Sequence, residues 1–246
     1  MKIIESKILK KFPEIKFGFS TKIGLGRKAP YFFNMSKSVG DNGKIVEENR
    51  QIFFEKVGVK KVVFQQQIHS DIVRIVDSDS ILGESDAMIT TETDLGLAVS
   101  SADCVPIFLY DSAQKIIAAL HSGWRGTRKK ILEKTLQVMF NSFGSDPNNI
   151  IAYIGPSISV DNYEVGIEVA REFDERYLKK INNKIYLDLK KINYHLLLNN
   201  EITPENIEVS KLCSFQEKDM LHSYRRNGKK SGRALGVIAI SGGICV

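Results

Sequence analysis

The sequence predicts an α+β fold in a single domain spanning residues 1–246. Three observations predict it. Strand-like and helix-like stretches interleave along the chain, hairpin-like strand pairs are as frequent as strand–helix–strand units, and no linker, low-complexity tract or fixed-period repeat divides it. A doubly wound parallel fold would show mainly strand–helix alternation. With 246 residues, 43% hydrophobic and 26% charged, the chain is long and apolar enough to bury a full core.

The elements follow in order. "IVEENRQIFFEKVGV" (45–59) carries Ile45, Val46, Ile52, Phe53 and Val57 near helical spacing. Residues 60–77 read as two strands, 62–66 and 72–76, with His69 near the bend between them. "LGLAVSSADCVPIFLYD" (95–111) reads as two buried strands broken around 101–103, with Cys104 at the break. Pro106, which lacks an N–H, argues against a regular central ladder there. "KIIAALH" (115–121) is a further strand. Residues 127–144 place Ile131, Leu132, Leu136, Met139, Phe140 and Phe143 on one face of a helix that Thr127 would cap and Gly144 would stop. The second half offers strands at 150–158, 207–210 and 234–240, and helices at 166–178 and 193–202.

Composition excludes several classes. The start has charges throughout and no uninterrupted apolar core, unlike a secretory signal, and no stretch is long enough to span a membrane. Three widely spaced cysteines do not form a disulfide framework, so a reducing cytoplasm is the expected location. The net charge of +6 lies in short Lys/Arg patches such as "RGTRKK" (125–130) and "RRNGKK" (225–230). Charge alone bears on solubility and non-specific binding. No groove-reading or base-stacking motif accompanies it, so nucleic acid is not the expected partner, whereas anionic small molecules are.

Only four histidines occur, and two end strands: His69 after "FQQQI" and His121 in "AALHSGWRGT". His195 lies in an apolar helical run, where a structural role is expected, and His222 precedes "SYRRNG". Cys104 sits at a kink beside Asp103, which must find solvent, a cation or a proton partner. By itself such a cysteine is more often a core residue than a ligand. If the three strand ends meet, two imidazoles and a thiolate fill three of zinc's tetrahedral positions, leaving one open as in catalytic sites.

The motifs "QQIHSD", "ESDAMITT", "VSSADCVPIFLYD", "AALHSGWRGT", "IGPSIS…YEVG" and "SYRRNG…GR" occur in that order. Together they resemble the YfiH-type, or laccase-domain, family from about residue 17 onward. The resemblance implies a layered α/β/β/α sandwich with mixed sheets and a catalytic zinc on His69, Cys104 and His121. It also implies purine nucleoside phosphorylase activity, with purine nucleosides and phosphate as partners, together with adenosine deaminase and methylthioadenosine phosphorylase activities. An older description of the family is multicopper polyphenol oxidase, and a His₂Cys set also suits copper. A self-contained laccase needs several more imidazoles, and only His195 and His222 remain. The segment "GLGRKAPYFFNMSKSVGDN" (24–42) departs from the glycine- and proline-richer family version, and no substrate contact is assigned in it.

Within "HSGWRGT", Gly123 and Gly126 would let the backbone approach a ligand. Trp124 either stacks on a base or covers the core. Arg125 either holds phosphate at the amino end of the 127–144 helix or forms a surface salt bridge. For deamination, zinc would lower the pKa of a bound water towards ~7, and a carboxylate must move protons. Asp103 is the first candidate, with Glu84 and Asp86 behind it. Arg225 and Arg226 hold phosphate or ribose, or form an exposed basic turn. A second enzymatic reading makes Cys104 the nucleophile and His121 the base of a hydrolase acting on an amide, for instance in peptidoglycan precursors. A third makes the chain a basic nucleic-acid-binding module.

Overall fold

The computed structural model of the protein describes residues 1–80 and 83–242. Two mixed sheets pack face to face. The first has five strands in the order Ile3–Ile4, Ile15–Ser20, Ala234–Ile240, Leu95–Ser101 and Lys61–Phe64. The second has six, in the order Ile207–Val209, Ile150–Ile154, Val105–Asp111, Ile116–Ser122, Ala87–Thr90 and Val73–Ile75. Most neighbours are antiparallel. The pairs joining Lys61–Phe64 to Leu95–Ser101, Val73–Ile75 to Ala87–Thr90, and Ile207–Val209 to Ile150–Ile154 are parallel.

Alternation along each strand builds the layers. Leu97, Val99 and Ile238 from the first sheet meet Phe108, Tyr110, Ile117 and Tyr153 from the second, with Phe17 edge-on to Phe108 at 4.9 Å. The intervening residues Ala98, Val237 and Ala239 face outward and are covered by Phe53 of the Gly43–Val57 helix. On the opposite side Ile107, Leu109, Ala118 and Ala152 pack under Leu132, Leu136 and Met139 of the Ile131–Phe143 helix and under Ile192 and Leu197 of the Leu189–Asn199 helix. The result is the helix–sheet–sheet–helix sandwich that the sequence resemblance implies.

Three local expectations are corrected. The helix expected over 127–144 is two helices, Trp124–Arg128 and Ile131–Phe143, separated at Lys130, whose φ of 61° is left-handed. Thr127 is therefore not its cap. Its hydroxyl is turned inward, 2.8 Å from Ser122 Oγ and 3.4 Å from Asn193 Nδ2, which ties the first turn to the strand end. The apolar stripe begins only at Ile131, so the chain must reorient before it can lie on the sheet. The helix expected over 166–178 is confined to Ile167–Ala170, followed by a 3₁₀ turn at Glu175–Tyr177 that Asp174 caps. A hairpin, Leu178–Ile181 and Lys184–Leu187, follows, with Asn182 and Asn183 both at positive φ. Pro106 does lie in a central strand. Its carbonyl accepts from Gly155 N–H at 2.8 Å, and the reciprocal bond that proline cannot donate falls at the end of the ladder to Ile150–Ile154, which starts only at Ile107.

Candidate metal centre and substrate cavity

The break between Leu95–Ser101 and Val105–Asp111 is where the chain crosses from one sheet to the other, and Cys104 lies on that crossing. The register Val105 to Ser122 and Pro106 to His121 brings His121 alongside it. His69 arrives on the loop after Lys61–Phe64, at φ 61°, and Asp103 next to Cys104 stands at φ 99°. Non-glycine residues in this region are strained, and such strain gathers at functional sites.

The donor atoms of His69, Cys104 and His121 all lie within 4.8 Å of one another. Cys104 Sγ is 3.8 Å from His69 Nε2, and the two imidazoles stand edge to face with centroids 4.8 Å apart. A metal bonded to sulfur and nitrogen at a tetrahedral angle sets those atoms about 3.5 Å apart, so the spacing and the donor types fit one ion. His121 is buried and His69 is exposed towards the cavity, which leaves one side of the cluster open.

Asp86 organises the cluster from beneath. It is fully buried; its Oδ1 accepts from His121 Nδ1 at 2.9 Å, and its Oδ2 accepts from Ser70 N–H at 2.6 Å, Ser70 Oγ at 2.7 Å and Ile68 N–H at 3.2 Å. Asp86 is not among the cavity-lining residues and reaches the cluster only through His121 and the His69 loop, so the structure gives it an orienting role in place of the proton transfer considered from sequence. Burial pushes its carboxyl up, but the His121 and Ser70 hydrogen bonds outweigh this and hold it below the ordinary value. Burial likewise opposes charge on Cys104, yet the two imidazoles, His121 foremost, lower the thiol to about 6. Burial also opposes charge on His121, which the Cys104 thiolate and Asp86 raise to about 9. Each of the two thus favours the charged form of the other.

Gly123 answers why the strand ends in "HSG". A Cβ there would stand 2.9 Å from Cys104 Sγ and 3.0 Å from His69 Cδ2, so only glycine allows both to close in. At Gly126 a Cβ would meet Ser70 O at 3.2 Å, a tighter fit between the first helical turn and the His69 loop.

The cluster opens into a cavity of about 670 Å³, a size suited to a small-molecule ligand. Asp103, Trp124, Arg125 and Arg225, all candidates from the sequence, are among the residues that line it. Trp124 is half-buried with Arg125 stacked on its ring at 4.4 Å, while Arg125 itself is exposed. Arg125 belongs to the five-residue Trp124–Arg128 helix and not to the longer helix, which removes the expected anion site at that helix's amino end. Asp103 accepts from Ser214 Oγ and from Arg225 N–H, each at 2.6 Å, and Arg225 Nη1 donates to Glu164 O at 2.7 Å. Arg226 is not among the lining residues. Its guanidinium donates to Ser214 O, Phe215 O, Leu221 O and Asn227 Oδ1, which staples the surrounding loops. Glu84 is exposed and is also not among the lining residues. His195 meets Tyr177 Oη at 3.2 Å and His222 meets Phe33 O at 3.4 Å, so neither joins the cluster.

The sequence reading missed several lining residues: Arg50, Gln67, Tyr163 and Arg233, together with Ser36, Lys37 and Ser38 from the segment left without contacts. Tyr163 and Arg233 fall inside the quoted "YEVG" and "GR" motifs, which was the available signal. Cys245 lies outside the described residues.

These features define a two-sheet sandwich with a His₂Cys centre set in the wall of a ligand-sized cavity. Residues 16–241 match the family described as multi-copper polyphenol oxidoreductase laccase, and the chain belongs to that family. It is 38% identical over 185 residues to a purine nucleoside phosphorylase of Clostridium acetobutylicum, covering 73% of this chain and 77% of that protein. It is 32% identical over 237 residues to adenosine deaminase RL5 of an unknown prokaryotic organism, covering 87% and 90%. Among solved structures, the hypothetical protein YfiH of Bacillus licheniformis superposes with a TM-score of 0.89 at 28% identity, covering 94% of this chain and 95% of that one. Among the described residues, no helix is long and apolar enough to cross a membrane.

Proposed function

We propose that the protein is a zinc-dependent enzyme of purine nucleosides. It would cleave inosine, adenosine and methylthioadenosine with phosphate to the free base and ribose 1-phosphate or methylthioribose 1-phosphate, and would deaminate adenosine to inosine. The observation that carries this reading is the open His69–Cys104–His121 cluster facing a cavity lined by Trp124 and several arginines. The printed names of the relatives, purine nucleoside phosphorylase and adenosine deaminase, support it. A zinc ion on these three residues would supply Lewis acidity at the open face.

The chain's own residues account for the remaining work. Trp124 offers a flat face for the purine, and Asp86 keeps His121 in the tautomer whose Nε2 faces the cluster. In phosphorolysis a phosphate oxygen bonds to the anomeric carbon as the bond to the purine nitrogen breaks, and the departing base takes a proton. In deamination a water oxygen adds to the purine carbon that bears the amino group, and ammonia leaves with a proton. Asp103, held at the cavity wall by Ser214 and Arg225, would pass those protons. Arg125 and Arg225 make the entrance cationic, which favours phosphate.

The deciding experiment incubates inosine with the purified protein with and without phosphate. Hypoxanthine with ribose 1-phosphate, formed only when phosphate is present, upholds the reading. Free ribose as the sole sugar product overturns phosphorolysis.

A second reading has a specific observation behind it. In the metal-free pair, Cys104, His121 and Asp86 stand in the order nucleophile, base and orienting carboxylate. A cysteine hydrolase acting on an amide would use them so. Metal content separates the two, since a thiolate held by zinc is a poor free nucleophile.

A further inference from the structure

Two of the cavity's arginines differ from those at its entrance. Arg50 comes from the Gly43–Val57 helix and Arg233 from the residue before the Ala234–Ile240 strand, and both are half-buried, whereas Arg125 and Arg225 are exposed. Each is anchored on backbone carbonyl oxygen. Arg50 Nε donates to Met35 O at 2.7 Å, and its guanidinium lies 4.1 Å over the Phe64 ring. Arg233 Nη1 donates to Ser231 O at 2.7 Å and Gly232 O at 3.1 Å, with Tyr224 beneath it at 5.4 Å.

These anchors leave definite edges without a partner among the described residues. Arg50 keeps both Nη groups, and Arg233 keeps its Nε–Nη2 edge. Neither forms a salt bridge there. Glu47, whose charge reaches Arg50, is bonded to Lys37. Cys104 and Asp103, whose charges reach Arg233, are turned respectively to the histidine cluster and to Ser214 and Arg225. Half-buried cations without a directly bonded counter-charge are costly, and a planar guanidinium edge matches a tetrahedral oxyanion through two parallel hydrogen bonds.

We propose that Arg50 and Arg233 form a seat for a phosphoryl group inside the cavity, separate from the attraction that the exposed arginines exert at the entrance. The same chemistry would accept inorganic phosphate or the 5′-phosphate of a nucleotide. That inorganic phosphate is the occupant rests on the phosphorolysis reading; the seat itself does not.

The test titrates the intact protein with inorganic phosphate and, separately, with adenosine 5′-monophosphate, at constant ionic strength in a calorimeter. Arg50→Gln and Arg233→Gln are measured beside Arg50→Lys and Arg233→Lys. The parent protein should bind at least one anion, with affinity roughly tenfold or more weaker in each Gln variant. The Lys variants should fall between, because an ammonium keeps the charge and loses the edge. Should a Gln variant fail to fold, the Lys variant at that position decides. Arginine-dependent binding of phosphate identifies the free anion as occupant, and arginine-dependent binding of the nucleotide alone identifies its 5′-phosphate. Equal affinities in parent and variants, or no binding of either anion by the parent, overturn the seat. Phosphate-dependent inosine cleavage with an unchanged phosphate KM in the variants would sink the seat and leave phosphorolysis standing. Arginine-dependent phosphate binding without any nucleoside turnover would do the reverse.

Discussion

His121 donates its Nδ1–H to Asp86 at 2.9 Å, while the other oxygen of that carboxylate accepts the Ser70 N–H at 2.6 Å, one residue beyond His69. One buried anion thus positions both histidines, one through its ring and the other through its backbone. Asp86→Asn keeps the size but must turn an NH₂ group towards one of these donors. We predict metal affinity lower by about 10–100-fold, the usual cost of losing a carboxylate behind a ligating histidine. A competition titration against a chromogenic chelator measures it, and unchanged affinity would remove Asp86 from the centre.

Gly123 tests close approach without backbone strain. Its φ of −75° suits any residue, so Gly123→Ala is penalised only by the Cβ that would press on Cys104 Sγ and His69 Cδ2. We expect a folded protein with far-ultraviolet circular dichroism like the parent's and a clear loss of bound metal by elemental analysis. Full metal content would show that the two ligands can move aside.

The motifs at positions 69, 104 and 121 were legible because each ends or interrupts an apolar strand, which is where a sheet presents side chains to a ligand. The sandwich was legible in the period-two strands and in the Ile131–Phe143 stripe. Asp86 was seen as a carboxylate but not in its role, because what it does depends on Ile68, Ser70 and His121 meeting it from separate segments. Arg50 carried no signal, since an arginine on an amphipathic helix usually faces water. The hairpin is written in "KINNKIYL", whose Asn-Asn pair suits two successive positive φ values, a stretch to which the sequence reading assigned no element.

His222 gives the fold an acid sensitivity. Burial, then the charges of Lys22, Arg233 and Arg226, lower it to about 3 from an ordinary 6.5, against the opposing pull of the Phe33 carbonyl. The unfolded chain therefore binds a proton that the folded one refuses. Its contribution is complete above pH 6.5 and is lost progressively as pH falls towards 3. The slope is at most about 1.4 kcal/mol per pH unit for one proton. Urea midpoints at pH 7 and pH 5 should differ less in His222→Gln than in the parent. An equal difference would mean that this histidine does not set the acid limb.

Asp103→Asn separates proton transfer from architecture. The amide can still accept the Arg225 N–H through its oxygen, while the Ser214 hydroxyl rotates to accept from its NH₂ group, so the loops remain tied. Metal content should be preserved, and adenosine deamination should fall by about a hundredfold, the scale of general acid–base catalysis. Unchanged turnover would take Asp103 out of the mechanism. Loss of metal together with activity would make it a structural neighbour of Cys104.

Arg125 stands at the entrance, exposed and stacked 4.4 Å over Trp124, without a carboxylate partner among the described residues. An exposed charge acts through a screened field that reaches about 8 Å at physiological ionic strength, so it guides an anion more than it holds one. Arg125→Ala should therefore raise the phosphate KM of inosine cleavage a few-fold, an effect that shrinks as salt is added. Adenosine deamination, which consumes no phosphate, should change little, provided Trp124 keeps its place. The comparison is made on one preparation, with both reactions followed across a salt series. If the two activities fall together and salt makes no difference, Arg125 acts by bracing Trp124 against the purine, and the attraction of phosphate must come from Arg225 and the deeper arginines.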